Sequence, residues 1–383
     1  MAKLVDAQAS GACGGNTVPV RIRLSAPTLS RPTPSKETMF DVFLGFAFLA
    51  SSTVANKYAL SALSLSLMVG LRMLGAGVIL LLYYKKKSQH LTFEYIKKDI
   101  VILVGISLLT MLVPALFKAY ALKNMYASKA AFLASLDPFV TALYAYFFWH
   151  ERLTKKKIIG IILGFTGTLI LIISSSNSEQ SLIAWSVFSY PEISALLAMA
   201  IGRLGWMFVQ QLLRKERYTA IEINGLLMTI SGALAFIVPF LWASILAIFN
   251  FFPIIAKISP VYTFENAINI FKLSLTPQTN LHMILFAVFY TIVIGNVLGY
   301  TMYSNFLKHH SATFVSLAGF SVPLYVYLFS HVLLGEPLSG NFLFASFVTF
   351  IGLLIFYQDE INKITHGSWH PVTWIKNLLN KSH

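Results

Sequence analysis

Ten runs of about 20 mostly apolar residues recur along the chain, and this repetition restricts its fold more than any other feature. A helix of that length spans a bilayer, and lipid excludes open strands because it cannot pair their backbone groups. Only 11% of the residues are charged, against about 25% in soluble domains. The sequence therefore predicts an all-α integral membrane protein with ten transmembrane helices, near 40–60, 64–84, 100–122, 126–149, 156–174, 192–213, 221–249, 282–306, 311–334 and 341–357.

The formal net charge is +14, and Lys and Arg residues lie in short clusters between the predicted spans. The segments after spans two, four and six are rich in these residues, whereas 175–191 and 335–340 contain none. Cytoplasmic loops carry such an excess, so we expect both termini in the cytoplasm. Membrane lipid is thus the partner that the basic charge indicates, and nucleic acid is not expected.

Residues 1–38 differ in composition from the rest of the chain and lack the apolar core of a signal peptide. Their opening, MAKLVDAQASGACGGNTVPVRIRLSAP, resembles a reading frame that runs through a transfer-RNA gene. We expect translation to begin at Met39; the alternative is a disordered cytoplasmic extension.

Two stretches of the chain resemble each other. LASLDPFVTALYAYFFWHERL, at 133–153, aligns without gaps on AGFSVPLYVYLFSHVLLGEPL, at 318–338, so that Pro138 falls on Pro323 and Glu151 on Glu336, 185 residues later. Because each copy has an odd number of spans, the second lies upside-down relative to the first. We expect two inverted five-helix repeats, 39–175 and 190–358, followed by a cytoplasmic tail, 359–383.

The paired prolines predict a helix break in the fourth span of each repeat. Proline lacks an N–H and clashes one turn back, which leaves the carbonyls of Ala134 and Gly319 without their usual partners. Broken helices at corresponding places of inverted repeats indicate a substrate site between them. The alternative is that both prolines only kink packed helices.

The two aligned glutamates are interpreted as structural turns. Glu151 and Glu336 each precede a hydroxyl residue, Thr154 and Ser339, which is positioned to N-cap the next span.

Three charged residues, Arg72, Asp137 and Arg203, are predicted to lie deep within spans. A charge at the bilayer centre costs about 2.5–3.5 kcal/mol on insertion scales, so these side chains should face the protein interior. Asp137 is expected to pair with one arginine, leaving the other to bind a substrate carboxylate or phosphate; a purely structural ion pair is the alternative. Lys57 and Lys118 lie nearer span ends and are expected to snorkel.

Further candidates for substrate contact are polar or aromatic residues within spans. Amides and hydroxyls would add hydrogen bonds, and aromatic rings would stack on a planar solute, although such rings more often pack or anchor at the interface. They are Tyr120, Trp206, Asn296, Tyr300 and Ser321.

The stretch AYALKNMYASKAAFLASLDPFVTALYAYFFWHERLTKKKIIGIILGFTGTLILI, at 119–172, resembles the EamA domain of the drug/metabolite transporter superfamily. The resemblance lies in the small residues at 127–130, Pro138, the Glu151-Arg152-Leu153 triplet and the glycines of span five, and extends more loosely over 40–357. It implies ten helices in two inverted repeats and secondary transport across a bacterial inner membrane. Arg72 falls where the family often has an arginine.

Span one departs from the family pattern. The stretch FLASSTVANKYAL lacks a tryptophan that many members have, although Asn56-Lys57 resembles the end of that motif. Some branches of the family import S-adenosylmethionine.

No catalytic motif is found: the sequence has no Walker loop, no His-Glu-x-x-His and no Gly-x-Ser-x-Gly. With one cysteine, Cys13, no Cys-rich metal site is expected, and we expect no catalytic residue, metal or cofactor. Together with the family resemblance, this predicts a secondary transporter of an amino acid, a nucleotide-like solute or, as in some branches of the family, S-adenosylmethionine, driven by a proton or a counter-substrate. Alternatives are an integral-membrane enzyme, such as a lipid-modifying transferase, and a membrane scaffold.

Initiation at Met39 predicts that the protein isolated from its natural source has an intact mass that begins at that residue. Mass spectrometry measures this directly. A mass that includes Met1 would refute the expectation.

Overall fold

The computed structural model describes residues 36–86, 93–150, 153–175, 189–214, 218–249, 280–299, 301–303, 306, 312–359 and 361. Within these ranges all regular structure is helical, and the helices form ten successive rods, numbered α1 to α10 in chain order. Five of the first seven rods are uninterrupted helices. They are α1 (Lys36–Ala62), α2 (Leu65–Lys86), α5 (Lys155–Ser175), α6 (Tyr190–Arg214) and α7 (Ala220–Phe249). The final helix, α10 (Gly340–Phe356), is also regular.

The other four rods contain irregular turns. α3 consists of Phe93–Ser107, a π-helical segment Leu108–Leu112, and Val113–Asn124. α8 runs Leu281–Tyr290 and continues as a π-helical segment, Thr291–Leu298. The remaining two are each split, into α4a (Ala127–Ala134) and α4b (Asp137–Trp149), and into α9a (Ala312–Gly319) and α9b (Ser321–Leu334).

Each predicted span corresponds to one of these ten rods, so the all-α membrane fold is confirmed. Among the described residues, α2 to α9 are long and apolar enough to cross a bilayer. α10 is apolar but shorter, at 17 residues, and α1 has 27. Residues 250–279 and nearly all of the tail at 359–383 lie outside the described residues.

The packing of the helices repeats under the inverted symmetry that the sequence predicts. α2 packs on α7 and α5 on α10, so each of these contacts joins equivalent helices. The contact of α1 with α9 corresponds to that of α6 with α4, and the contact of α3 with α6 corresponds to that of α8 with α1. The two repeats therefore interlock, and the interface between them runs along the whole bundle.

Glycines allow α5 and α10 to approach closely. A Cβ at Gly160 would lie 2.6 Å from the carbonyl oxygen of Gly352, and one at Gly167 would lie 2.8 Å from that of Ala345. The 185-residue offset relates Gly160 to Ala345 and Gly167 to Gly352, so both contacts are symmetry-related. Small residues favour such close helix contacts in membranes, where apolar burial alone does not drive association.

Replacing Gly160 with alanine should lower the free energy of unfolding by about 1–3 kcal/mol, because the new methyl group displaces the α10 backbone. Thermal unfolding in detergent measures the effect. Gly105→Ala is the matched control, since nothing lies within 4 Å of its added Cβ and alanine favours helix. Equal melting temperatures for the two variants would contradict this account of the α5–α10 contact.

Candidate functional site

The fourth rod breaks immediately before Asp137. Ser135 and Leu136 form a turn between α4a and α4b, and Pro138 occupies the first turn of α4b, where its missing N–H costs no hydrogen bond. The Ser135 N–H donates to the carbonyls of Ala131 and Phe132, at 3.2 and 3.0 Å. The backbone thus satisfies part of its own hydrogen bonding at the break.

The ninth rod breaks at the corresponding place. Phe320 forms the turn between α9a and α9b, and Pro323 lies buried in the first turn of α9b. Pro138 is partly buried. The interruptions occupy equivalent positions in the two repeats, as the proline pair predicts.

Asp137 forms an ion pair with Arg203 of α6. The Arg203 Nε donates to Asp137 Oδ1 at 2.6 Å, and Arg203 Nη2 bonds Asp137 Oδ2, so the pair is bidentate. Both side chains are partly accessible, at 24% for Arg203 and 34% for Asp137. The Tyr144 hydroxyl also donates to the Ala200 carbonyl of α6 at 3.0 Å. A polar seam therefore joins the two repeats near the middle of the span.

Arg72 belongs to a second polar group, formed by α2, α3 and α8. Its backbone carbonyl accepts a hydrogen bond from Asn296 Nδ2 at 3.2 Å, and Asn296 itself is buried in the π-helical segment of α8. The positive charges of Arg72 and Lys118 are close enough to repel each other. This group also crosses the repeat boundary, because Arg72 and Lys118 belong to the first repeat and Asn296 to the second, and the Lys118 side chain is exposed.

The other candidate residues are placed as follows. Trp206 lies partly buried on α6, one turn beyond Arg203. Tyr120 is 37% exposed near the end of α3. Ser321 begins α9b, and within the described part of the chain its buried hydroxyl has no hydrogen-bond partner. Tyr300 lies outside the described residues.

The π-helical segments of α3 and α8 were not predicted from the sequence. Leu108–Leu112 packs against α6 and α7, and Thr291–Leu298 packs against α1 and α2. These are symmetry-equivalent contacts, and π-bulges are frequent at functional sites. Asn296 of the second polar group lies in one segment, and Thr110 of the other abuts α6 at Gly205, two residues after Arg203.

The ion pairs at the end of the bundle where α4a begins were not predicted from the sequence either. Lys129 Nζ lies 2.5 Å from Glu192 Oε1, and both side chains are 3% exposed. Lys57, expected to snorkel, binds Glu336 across the repeats at this end of the bundle. Glu336 is therefore more than a structural turn.

The two predicted N-caps differ in outcome. Thr154 accepts a hydrogen bond from the Lys157 N–H at 3.3 Å, which confirms its capping role. The Ser339 side chain makes no capping bond; its backbone instead bonds the Tyr327 hydroxyl. Glu151 lies outside the described residues.

The described residues contain no group of three or more His, Cys, Asp or Glu side chains that could hold a metal ion. The polar groups present are suited to binding charged and hydrogen-bonding parts of a solute.

The sequence profile of the EamA-like transporter family matches residues 38–173 and again 190–358. A relative in Chlamydia muridarum (strain MoPn / Nigg), named S-adenosylmethionine/S-adenosylhomocysteine transporter, is 25% identical over 85% of this chain and 93% of its own. A protein of the same name in Chlamydia trachomatis serovar L2 is 25% identical over 85% and 90%. A probable amino-acid metabolite efflux pump of Salmonella typhimurium is 26% identical over 61% and 68%.

A solved crystal structure shares the fold. It has a TM-score of 0.51 and 15% sequence identity, and the match covers 84% of this chain and 96% of the other. At this identity the likeness concerns the fold alone.

A double-mutant cycle on Asp137 and Arg203 tests the central ion pair. Asp137→Asn and Arg203→Gln should each lower the free energy of unfolding by about 1–2 kcal/mol, because each leaves a charge without its partner. The double variant should lower the free energy of unfolding by less than the sum of the two single losses, and the difference, the coupling energy, should be about 1 kcal/mol.

Thermal unfolding in detergent measures the cycle, and the Lys156–Asp359 pair provides the control. That pair is 40% and 37% exposed, so its coupling should stay near zero. Strict additivity at Asp137 and Arg203 would show that the pair contributes nothing to stability.

Proposed function

The chain belongs to the EamA-like transporter family, and from this premise we propose that it is a secondary transporter of S-adenosylmethionine, working in exchange for S-adenosylhomocysteine. The substrate assignment is supported by the two chlamydial relatives, which align with 85% of this chain and bear those solutes in their names. The Salmonella relative supports the broader class of amino-acid metabolites.

The observation that carries the proposal is the Asp137–Arg203 pair at the broken fourth rod. A charged pair at this depth in a membrane is costly unless it lies in protein or water, and intramembrane charges mark solute pathways. Its partial accessibility and its position across the repeat boundary support a wet site at the midplane, where transporters built from inverted repeats bind their substrates.

The polar groups of the site match the chemistry of the proposed solute. S-adenosylmethionine carries an α-carboxylate, an α-ammonium, a sulfonium and a planar adenine. Arg72 and Lys118 would bind the carboxylate. Asp137 would face the positive sulfonium or ammonium group, and Trp206 or Tyr120 would stack on the adenine ring. Asn296 and Ser321 would add hydrogen bonds, and Tyr300 is a further candidate for stacking on the adenine ring.

The two broken rods support alternating access. α4 and α9 are interrupted at equivalent places, and each half-rod packs separately on the opposite repeat. Rocking of one repeat against the other about these breaks would open the site to each side in turn. The units that move are proposed to be residues 39–175 and 190–358.

The driving force is proposed to be a solute gradient. The sequence contains no Walker loop, and exchange of S-adenosylmethionine for S-adenosylhomocysteine needs no further energy source; a coupled proton is the second candidate. The protein is proposed to reside in a bacterial inner membrane with both termini inside, since Lys85, Lys86, Lys155, Lys156 and Lys157 lie at the cytoplasmic ends of their spans under the positive-inside rule.

Proteoliposomes loaded with S-adenosylhomocysteine should take up labelled S-adenosylmethionine, and the accumulated solute should be recovered chemically unchanged. Asp137→Asn and Arg72→Ala should reduce uptake to background, because each removes a charge that the solute requires. Insertion into the liposomes is quantified by mass spectrometry.

Asp359→Asn is the matched control for these variants. It makes the same change of carboxylate to amide at an exposed pair and should transport normally. Normal uptake by both Asp137→Asn and Arg72→Ala would remove these residues from the mechanism, and modified solute in the vesicles would indicate an enzyme.

A further inference from the structure

Glu336 bonds to the opposite repeat at one end of the bundle. Its Oε1 accepts a hydrogen bond from Lys57 Nζ at 2.5 Å, and its two carboxylate oxygens accept from the Ala127 N–H at 2.9 and 3.0 Å. Lys57 Nζ also donates to the Met125 carbonyl at 2.6 Å. We call these four groups, Glu336, Lys57, the Ala127 N–H and the Met125 carbonyl, the Glu336 latch.

The Glu336 side of the latch is fixed within the second repeat. Gly335 has a φ of 68° and ends α9b with a left-handed turn. The Glu336 N–H donates to the Ser330 carbonyl at 3.2 Å, and the Glu336 carbonyl bonds His331 Nδ1 at 2.7 Å. The backbone of this corner is therefore held by its own repeat, while every group that its carboxylate binds belongs to the other repeat.

The partners of Glu336 form a carboxylate-binding site. A lysine ammonium and the N–H at the start of a helix both stabilise a negative charge. Lys57 is 21% exposed and Glu336 8%, so the interaction is only weakly screened by solvent. A side-chain carboxylate of the protein already occupies this site.

A surface cavity of about 250 Å³, open to the outside over most of its extent, adjoins the latch on the side of the first repeat. It is lined by Lys57, Lys123, Asn124, Met125 and Tyr126. Lys57 Nζ lies 5.8 Å from the centre of the Tyr126 ring. Two ammonium groups, a carboxamide and an aromatic ring are suited to a small solute that carries a carboxylate.

We propose that Lys57 and the Ala127 N–H form a second binding site for the carboxylate of the transported solute, at the mouth of the route, and that Glu336 closes this mouth by occupying the site. An arriving carboxylate competes with Glu336 for Lys57. Once Glu336 is displaced, the two repeats lose this connection and separate at this end. The inference rests on the proposed alternating-access transport of a carboxylate-bearing solute.

The Lys129–Glu192 pair, which also joins α4a to the second repeat, differs from the latch. Both of its side chains are 3% exposed, and neither lines the cavity. The latch is the connection at this end that a solute in the cavity would reach.

Cysteine labelling tests the closure without any solute. In a Cys13→Ser background, the sequence contains no other cysteine, and Ser128→Cys introduces a reporter at a 7% exposed position beside Ala127. Glu336→Gln, which keeps the shape but removes the charge, should raise the rate of labelling by a membrane-impermeant maleimide about tenfold. Lys57→Gln removes the partner charge and should raise the labelling rate by a similar factor.

Asp359→Asn is again the control, since it breaks a lysine–carboxylate pair at the opposite end of the bundle and should leave the labelling rate unchanged. Unchanged labelling in both Glu336→Gln and Lys57→Gln would overturn the latch. This outcome would leave the proposed function intact, because it requires no transport.

Uptake kinetics test the competition. Lys57→Gln should raise the KM for S-adenosylmethionine about tenfold while leaving the KM for decarboxylated S-adenosylmethionine nearly unchanged, since only the former presents a carboxylate. Glu336→Gln should lower the KM for S-adenosylmethionine, because Glu336 then no longer competes for Lys57.

Equal effects of Lys57→Gln on the two solutes would refute the carboxylate site. Failure of the unmodified protein to transport either solute would refute the proposed function, and the labelling experiment would still decide whether Glu336 closes this end.

Discussion

Lipid cannot satisfy a broken backbone or an isolated charge, and this constraint governs the arrangement of the whole molecule. The fourth and ninth rods are each interrupted near a proline, and Asp137 stands at the start of α4b. These groups are stable in a bilayer only if the opposite repeat or enclosed water supplies their partners. The bidentate bond from Arg203 meets that requirement at Asp137. Because a charge at the break needs a partner, and Arg203 of the other repeat is that partner, the break is also a place where the two repeats are joined.

The inverted symmetry relates these local features in one repeat to equivalent features in the other. The breaks, the π-helical segments and the glycine contacts of α5 with α10 each occur twice, at equivalent places. A structure with two equivalent halves in opposite orientations can present a central site to either side at similar cost in free energy. The irregular rods provide the positions at which such a movement needs the fewest regular hydrogen bonds to be broken.

The sequence predicted the ten spans, the repeats and the two helix breaks because these depend on local properties: the length of apolar runs, the charge of loops and the chemistry of proline. It did not predict which arginine pairs with Asp137, since Arg72 and Arg203 both lie at suitable depth. The Lys57–Glu336 pair joins residues 279 positions apart, and no local pattern reveals such a contact. The segment Leu108–Leu112 contains only LLTML, which has no proline or glycine to indicate a π-helical turn.

Alternating access at the midplane is tested most directly by a cysteine at Ser321, the half-buried residue that begins α9b, in a protein without Cys13. The account predicts that an impermeant thiol reagent labels this cysteine from either face of the membrane, and that S-adenosylmethionine on one side changes the ratio of the two rates. Labelling from one face only, with or without solute on either side, would contradict it.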